Sequence, residues 1–153
     1  MFEPVREAML ARDPQALIAT FAPDVELRSP VTARAFRGRE EVGELMTELL
    51  AVLDDLEYRE VAINGDAHLV RFRMRLRGRD VDVVDLMRFD EQGRLREIVV
   101  HARPLAGVAL FAAVVGPRLA RRRSRWKGLA AQGARPLPVL LRAIDAAGAR
   151  LTR

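Results

Sequence analysis

Residues 68–89, "HLVRFRMRLRGRDVDVVDLMRF", read as two strands joined at their only glycine, and this reading decides the fold. Successive side chains of a strand point to opposite faces. In the first half Val70, Phe72, Met74 and Leu76 share one face, and Arg71, Arg73, Arg75 and Arg77 share the other. In the second half Val81, Val83, Asp85, Met87 and Phe89 share a face on which Asp85 is the one polar member. A two-residue turn at Gly78-Arg79 pairs Arg77 with Asp80, Arg75 with Asp82, and Phe72 with Asp85, so opposite charges meet on the outer face. That register sets a carboxyl group in the middle of an apolar row, opposite a phenylalanine.

The neighbouring segments extend the sheet. Upstream, "EYREVAI" ends at the hairpin-type turn "NGD"; downstream, "DEQG" turns into a last strand, "RLREIVVHA". Earlier still, "RGREEVGELMTELLAVLDDL" carries Val42, Leu45, Met46, Leu49, Leu50 and Leu53 on one helical stripe. "PDVELRSPV" reads as a short strand with Val25, Leu27 and Ser29 on one face. Asp13-Pro14 reads as an N-cap followed by proline in the first turn, opening a short helix with Leu17, Ile18 and Phe21 on its apolar face. Met1 to Arg12 forms a further amphipathic helix through Phe2, Val5 and Met9. The order of elements predicts an α+β domain in which a curved antiparallel sheet wraps around a long helix.

Charge divides the chain. Residues 1–103 hold 16 basic and 20 acidic side chains, whereas residues 104–153 hold 10 basic and one acidic. The division predicts an ordinary domain over 1–103 and a helical, basic extension over 104–153. With 153 residues, half of them apolar, one domain with a proper core is expected. The absence of cysteine excludes disulfides, thiol chemistry and zinc–thiolate sites. No phosphate-binding glycine loop or metal-ligand spacing occurs, so no cofactor and no metal is expected. "MFEPVREAML" lacks the long apolar run of a signal peptide, and a cytoplasmic bacterial protein is expected.

The ordered set "RDPQALIATFAPDVELRSPV", "FRGREEVGELM" and "DVVDLMRFDEQGRLREIVV" resembles the nuclear-transport-factor-two-like superfamily, which includes SnoaL-like cyclases and ketosteroid isomerases. The resemblance spans residues 1–103. It implies a cone of the cystatin-like kind, with helices on one side, sheet on the other and an apolar cavity between. It sets Asp85 where ketosteroid isomerases keep a protonated aspartic acid in their oxyanion hole, a case in which an apolar site holds the acid neutral. It also sets Ser29 at the isomerase's general base and Val5 near its tyrosine, so an intact ketosteroid isomerase site is not expected. The acid that epoxide hydrolases of the superfamily carry late in the last strand falls at about Val100, and their set is absent. A SnoaL-like cyclase, which relies on one pocket aspartate, remains open.

Two functions follow as expectations. In the first, the cone binds a small, mostly apolar ligand. Asp85 is then the candidate catalytic acid or base, and Ser29, Tyr58, Phe72, Met74, Val83, Met87 and Val100 are candidate ligand contacts. Burial would raise the Asp85 pKa; the structural alternative is an acid that hydrogen-bonds Ser29, Tyr58 or backbone and simply holds the fold. In the second, the domain is a non-catalytic dimeric scaffold, and its extension contacts a partner protein or an anionic membrane surface. "LAGVALFAAVVG" is too short to span a bilayer, but residues 105–127 join it to six cations and Trp126, a pattern suited to a membrane surface. The same helix could instead cap the cavity or swap between subunits. The resemblance implies a homodimer formed through the outer sheet face. The arginine ladder faces Asp80 and Asp82 and lacks interleaved aromatics, which argues against nucleic acid. His101 is expected to point outward, and His68, like it, to be a surface or interface histidine and not a catalytic one.

Overall fold

The computed structural model describes residues 1–123. The rest of the expected helical, basic extension, residues 124–153 with Trp126, lies outside the described residues. Helices α1 (Phe2–Ala11) and α2 (Pro14–Ala19) lead into strands β1 (Phe21–Arg28) and β2 (Phe36–Arg37). Helix α3 (Gly38–Leu50) follows, then β3 (Leu53–Asn64), β4 (Ala67–Leu76), β5 (Arg79–Phe89), β6 (Leu95–Arg103) and helix α4 (Leu105–Arg123). The strands form one curved, unclosed sheet in the order β2-β1-β6-β5-β4-β3. This is the expected α+β cone, with the helices on its buried face.

Local chemistry explains the helix starts. The Asp13 carboxylate accepts hydrogen bonds from the Gln15 and Ala16 N–H groups, and Pro14 loses nothing at a position whose N–H is unpaired anyway. At α3, Arg37 offers no capping oxygen; instead the Glu41 carboxylate reaches back to the Arg37 N–H at 2.7 Å.

Several sequence expectations require correction. The sheet is not wholly antiparallel, because β1 runs parallel to β6. The two-residue strand β2, paired to β1, carries too short a pattern to be read from alternation. Helix α3 ends at Leu50, three residues short of Leu53, which begins β3. The helical stripe runs on through Leu53 because Leu53 is buried too, but in a strand.

The β4–β5 turn lies one residue earlier than expected. Leu76 pairs with Arg79, and Arg77 and Gly78 form the turn with φ of 48° and 71°. Both central residues of a type I′ turn need positive φ, which glycine supplies freely and arginine at some cost. Arg75 therefore pairs with Asp80, and Asp85 stands opposite Val70 rather than Phe72. The shift is an even number of residues, so the faces keep their side chains. Val81, Val83, Asp85, Met87 and Phe89 are all buried, as are Val70, Phe72, Met74 and Leu76. On the outer face Arg75 meets Asp80 at 2.8 Å, and Arg73 reaches Glu57 of β3 at 2.9 Å.

His68 is not at the surface: it is 3% exposed. It opens β4 with the same parity as Val70, and its ring packs 4.7 Å from Phe89 and 6.4 Å from Phe2. The turn residue Gly65 folds the hairpin so that this end of β4 meets the start of α1. His101 is exposed, as its parity predicts.

Candidate functional site

The inner face of the sheet and the helices enclose a cavity of about 80 Å³. Every candidate site residue lines it: Ser29 just past β1, Tyr58 on β3, and Phe72 and Met74 on β4; then Val83, Asp85 and Met87 on β5, and Val100 on β6. Ser29, Tyr58 and Asp85 supply the only polar side chains of the lining among the described residues. Ser29 and Val5, which the resemblance sets at the isomerase's base and near its tyrosine, are both in the wall. Neither brings an ionisable group.

Asp85 is the one acidic side chain of the lining among the described residues. The register sets it between Val70 of β4 and Val100 of β6, and its side chain enters an apolar space. Its Oδ1 has no hydrogen-bond partner among the described residues. Burial without a compensating charge pushes its pKa up from 3.8 to about 8. At neutral pH the group is therefore mostly a neutral acid, with an O–H to donate and a carbonyl oxygen to accept. An acid with that pKa is also suited to exchange a proton near pH 7.

Tyr58 packs edge-on to Phe2, with ring centroids 5.5 Å apart, and at 5.6 Å from Phe72. The Arg6 guanidinium sits 5.8 Å from its ring centre. Burial, then the negative charge that Asp85 can carry, raises the Tyr58 pKa, so the phenol stays protonated. Ser29 is half-buried, and its Oγ accepts the Val31 N–H at 3.2 Å, an ordinary turn bond. That bond leaves the hydroxyl proton free to donate. Neither residue bonds the Asp85 Oδ1.

Two parts of the wall extend the candidate contacts: Met9 and Met46 join Met74 and Met87, and α4 takes the capping place that is one alternative for the extension. Met9, Met46, Met74 and Met87, every methionine except Met1, line the cavity. Methionine is unbranched and adaptable, and four of them make a compliant wall. Their shared destination was hidden because they come from α1, α3, β4 and β5. The second is α4, whose Val108 and Phe111 close one side. The uncharged run from Leu105 to Gly116 was the signal for burial, but composition alone does not say against what.

Helix α4 is fastened to α3 by ion pairs. The Glu48 side chain, only 9% exposed, accepts from the Nε of Arg118 at 2.7 Å and from the Nε of Arg122 at 2.6 Å. Burial alone would raise the Glu48 pKa, but the two guanidinium groups together hold it below the usual carboxylate value. Among the described residues no helix is long and apolar enough to cross a membrane.

Comparison with known proteins agrees with this architecture. A steroid delta-isomerase from Pseudomonas aeruginosa has a similar structure, with a TM-score of 0.71 and 26% identity over 78% of this chain and 88% of its own. A protein with a cystatin-like fold from Silicibacter pomeroyi gives a TM-score of 0.72 and 22% identity over 86% of this chain and 91% of its own. A SnoaL-like protein of unknown function from Burkholderia thailandensis gives 0.57 and 21% identity over 66% of this chain and 89% of its own. No curated protein matches the chain by sequence. The SnoaL-like domain matches residues 3–98, most of the chain and all of its sheet but the end of β6, and the protein belongs to that family.

Proposed function

We propose that the protein binds a small, mostly apolar molecule in the cone, with Asp85 as its principal polar contact. The observation that carries this reading is the unpartnered Asp85 Oδ1 inside an otherwise apolar cavity. An unsatisfied buried polar group costs about 1–3 kcal/mol, and a valine at position 85 would avoid that cost. A ligand oxygen accepting the Asp85 O–H satisfies the group. Ser29 and Tyr58 are the further donors within the same wall. The ligand class that fits is a neutral molecule with an apolar body and one carbonyl or hydroxyl oxygen.

Where chemistry follows binding, it is cofactor-independent proton transfer at a carbonyl-bearing substrate, of the cyclase or isomerase type, with Asp85 as acid or base. Val5 and Ser29 replace the other ionisable groups of a ketosteroid isomerase, so the known isomerase mechanism is not proposed. The first 103 residues form the cone in this reading, and the extension begins as its cap. Val108 and Phe111 turn into the cavity while Arg118 and Arg122 are engaged by Glu48, which favours the cap over membrane contact for this part of the extension.

Self-association through the outer sheet face is part of the same reading. Ala62, Leu69, Leu86 and Val99 lie in one row across four strands on the face away from the cavity. Leu69 is 44% exposed, and Glu60 and Arg71 on one side and Arg88 and Glu97 on the other flank the stripe. A second copy would cover it.

The test is mass spectrometry of small molecules released from the purified protein, wild type beside Asp85→Asn. A defined compound released by wild type alone supports the reading and reveals the ligand class. A compound retained equally by both forms removes Asp85 from the site.

A further inference from the structure

The cavity is too small for the ligands its chemistry suits. Its 80 Å³ compares with about 150 Å³ for a cavity that takes benzene, and at least about 300 Å³ for most small-molecule pockets. Growth must come from a wall that can move. The sheet wall is tied by backbone ladders along its whole length. Helix α4 is held differently.

Its first turn is packed tightly: a Cβ on Gly107 would come within 2.9 Å of the Val81 Cγ2. Its middle covers the cavity through Val108 and Phe111. Its far end is held by Arg118 and Arg122, four residues apart and so on one face, both bound to Glu48. Gly116 and Pro117 separate the covering part from that clamp, and Pro117 withholds a hydrogen bond from the helix. Tight packing at one end, apolar cover in the middle and ion pairs at the other are the parts of a hinged lid.

We propose that α4 is a gate over the cavity, pivoting where Gly107 meets Val81 and latched by Glu48 to Arg118 and Arg122. Ligand enters when the latch releases and Phe111 and Val108 swing out, and the methionine wall then settles around it. This gate rests on the reading that the cavity binds a ligand, but its opening can be measured without one.

The experiment has two arms. Hydrogen exchange compares wild type with Glu48→Gln, and with Arg118→Gln/Arg122→Gln should the first variant fold poorly. The gate predicts that α4 amides between residues 106 and 115 exchange at least tenfold faster in the variants while β5 amides are unchanged. Unchanged α4 exchange in a folded variant overturns the gate, whether or not any ligand binds.

The second arm follows uptake of the neutral carbonyl fluorophore prodan by stopped flow. The wild-type rate should level off at high prodan, and Glu48→Gln should raise that plateau at least tenfold. The chain has no cysteine, so Glu48→Cys/Arg118→Cys can be bridged by a cleavable bis-thiosulfonate. Bridging should slow uptake tenfold or more, and reduction should restore it. Equal uptake in all forms overturns the gate and leaves the binding cavity standing. Faster α4 exchange with no prodan bound in any form supports the gate and counts against the cavity reading alone.

Discussion

Asp85 of β5 stands directly opposite Val70 of β4, a residue with no exposed surface, so the carboxyl faces the cavity beside an aliphatic neighbour and not a partner. The fold gains nothing evident from an acid there. Replacing Asp85 by Val, close in size and apolar, should raise stability by about 1–3 kcal/mol near pH 4, where the folded acid is neutral, and by more at pH 7, measured by chemical denaturation. The same substitution should abolish ligand retention.

The pH dependence of Asp85 has a definite sign. The unfolded carboxyl ionises near 3.8 and the folded one near 8, so between those values the unfolded state binds fewer protons. Stability from this group is therefore greatest in acid and falls as pH rises, at about 1.4 kcal/mol per unit within the window. Asp85→Asn cannot ionise, so its stability relative to wild type should climb with pH from about 4 to about 8. Denaturation curves of the two forms at several pH values check this.

His68 acts in the opposite direction. Burial, with the N-terminal ammonium nearby, lowers its pKa below 6.5, and neither ring nitrogen has a partner among the described residues. As pH falls below 6.5 the unfolded histidine takes up a proton that the folded one refuses, so stability is lost towards the folded pKa. His68→Leu should remove that loss and be more stable than wild type at pH 5. Equal acid sensitivity of the two forms contradicts it.

Much of this arrangement was legible in sequence, and the reasons for the remainder are specific. Strict alternation over Val70–Leu76 and Val81–Phe89 identified both faces correctly, because face assignment survives any even slip of register. The slip itself came from the turn. Gly78 suggested the right loop, but only the left-handed backbone of Arg77 reveals that it, and not Arg79, is the other central residue. His68 was misjudged because its burial comes from Phe2 and Phe89, 66 and 21 residues away along the chain. Parity places Ser29, Phe72, Met74, Val83, Asp85, Met87 and Val100 on inward faces, whereas the α4 wall depends on tertiary docking that no local pattern records.

The turn offers a gain in stability. Arginine at φ 48° is costly, and Asn-Gly is the preferred pair for a type I′ turn. Arg77→Asn should stabilise the protein by about 0.5–1 kcal/mol, read as a higher melting temperature.

Helix α4 is expected to be sensitive at its pivot. Gly107→Ala brings a methyl group against the stiff, branched Val81 and should cost about 1–3 kcal/mol. Gly65→Ala, with open space around it, should cost only its backbone strain, about 1 kcal/mol. Melting the two variants side by side separates packing from backbone effects.

Sheet-face association is tested by Leu86→Arg on the outer stripe. Wild type should sediment as a dimer and the variant as a monomer with an unchanged far-UV spectrum. A monomeric wild type contradicts the association.

Whether Asp85 is held neutral is read most directly by a site-specific NMR titration of its carboxyl carbon, assigned by its absence in Asp85→Asn. A midpoint near 8 is predicted, with the acid held neutral in an apolar cavity. A midpoint near 4 would show a solvated or paired carboxylate and contradict the account.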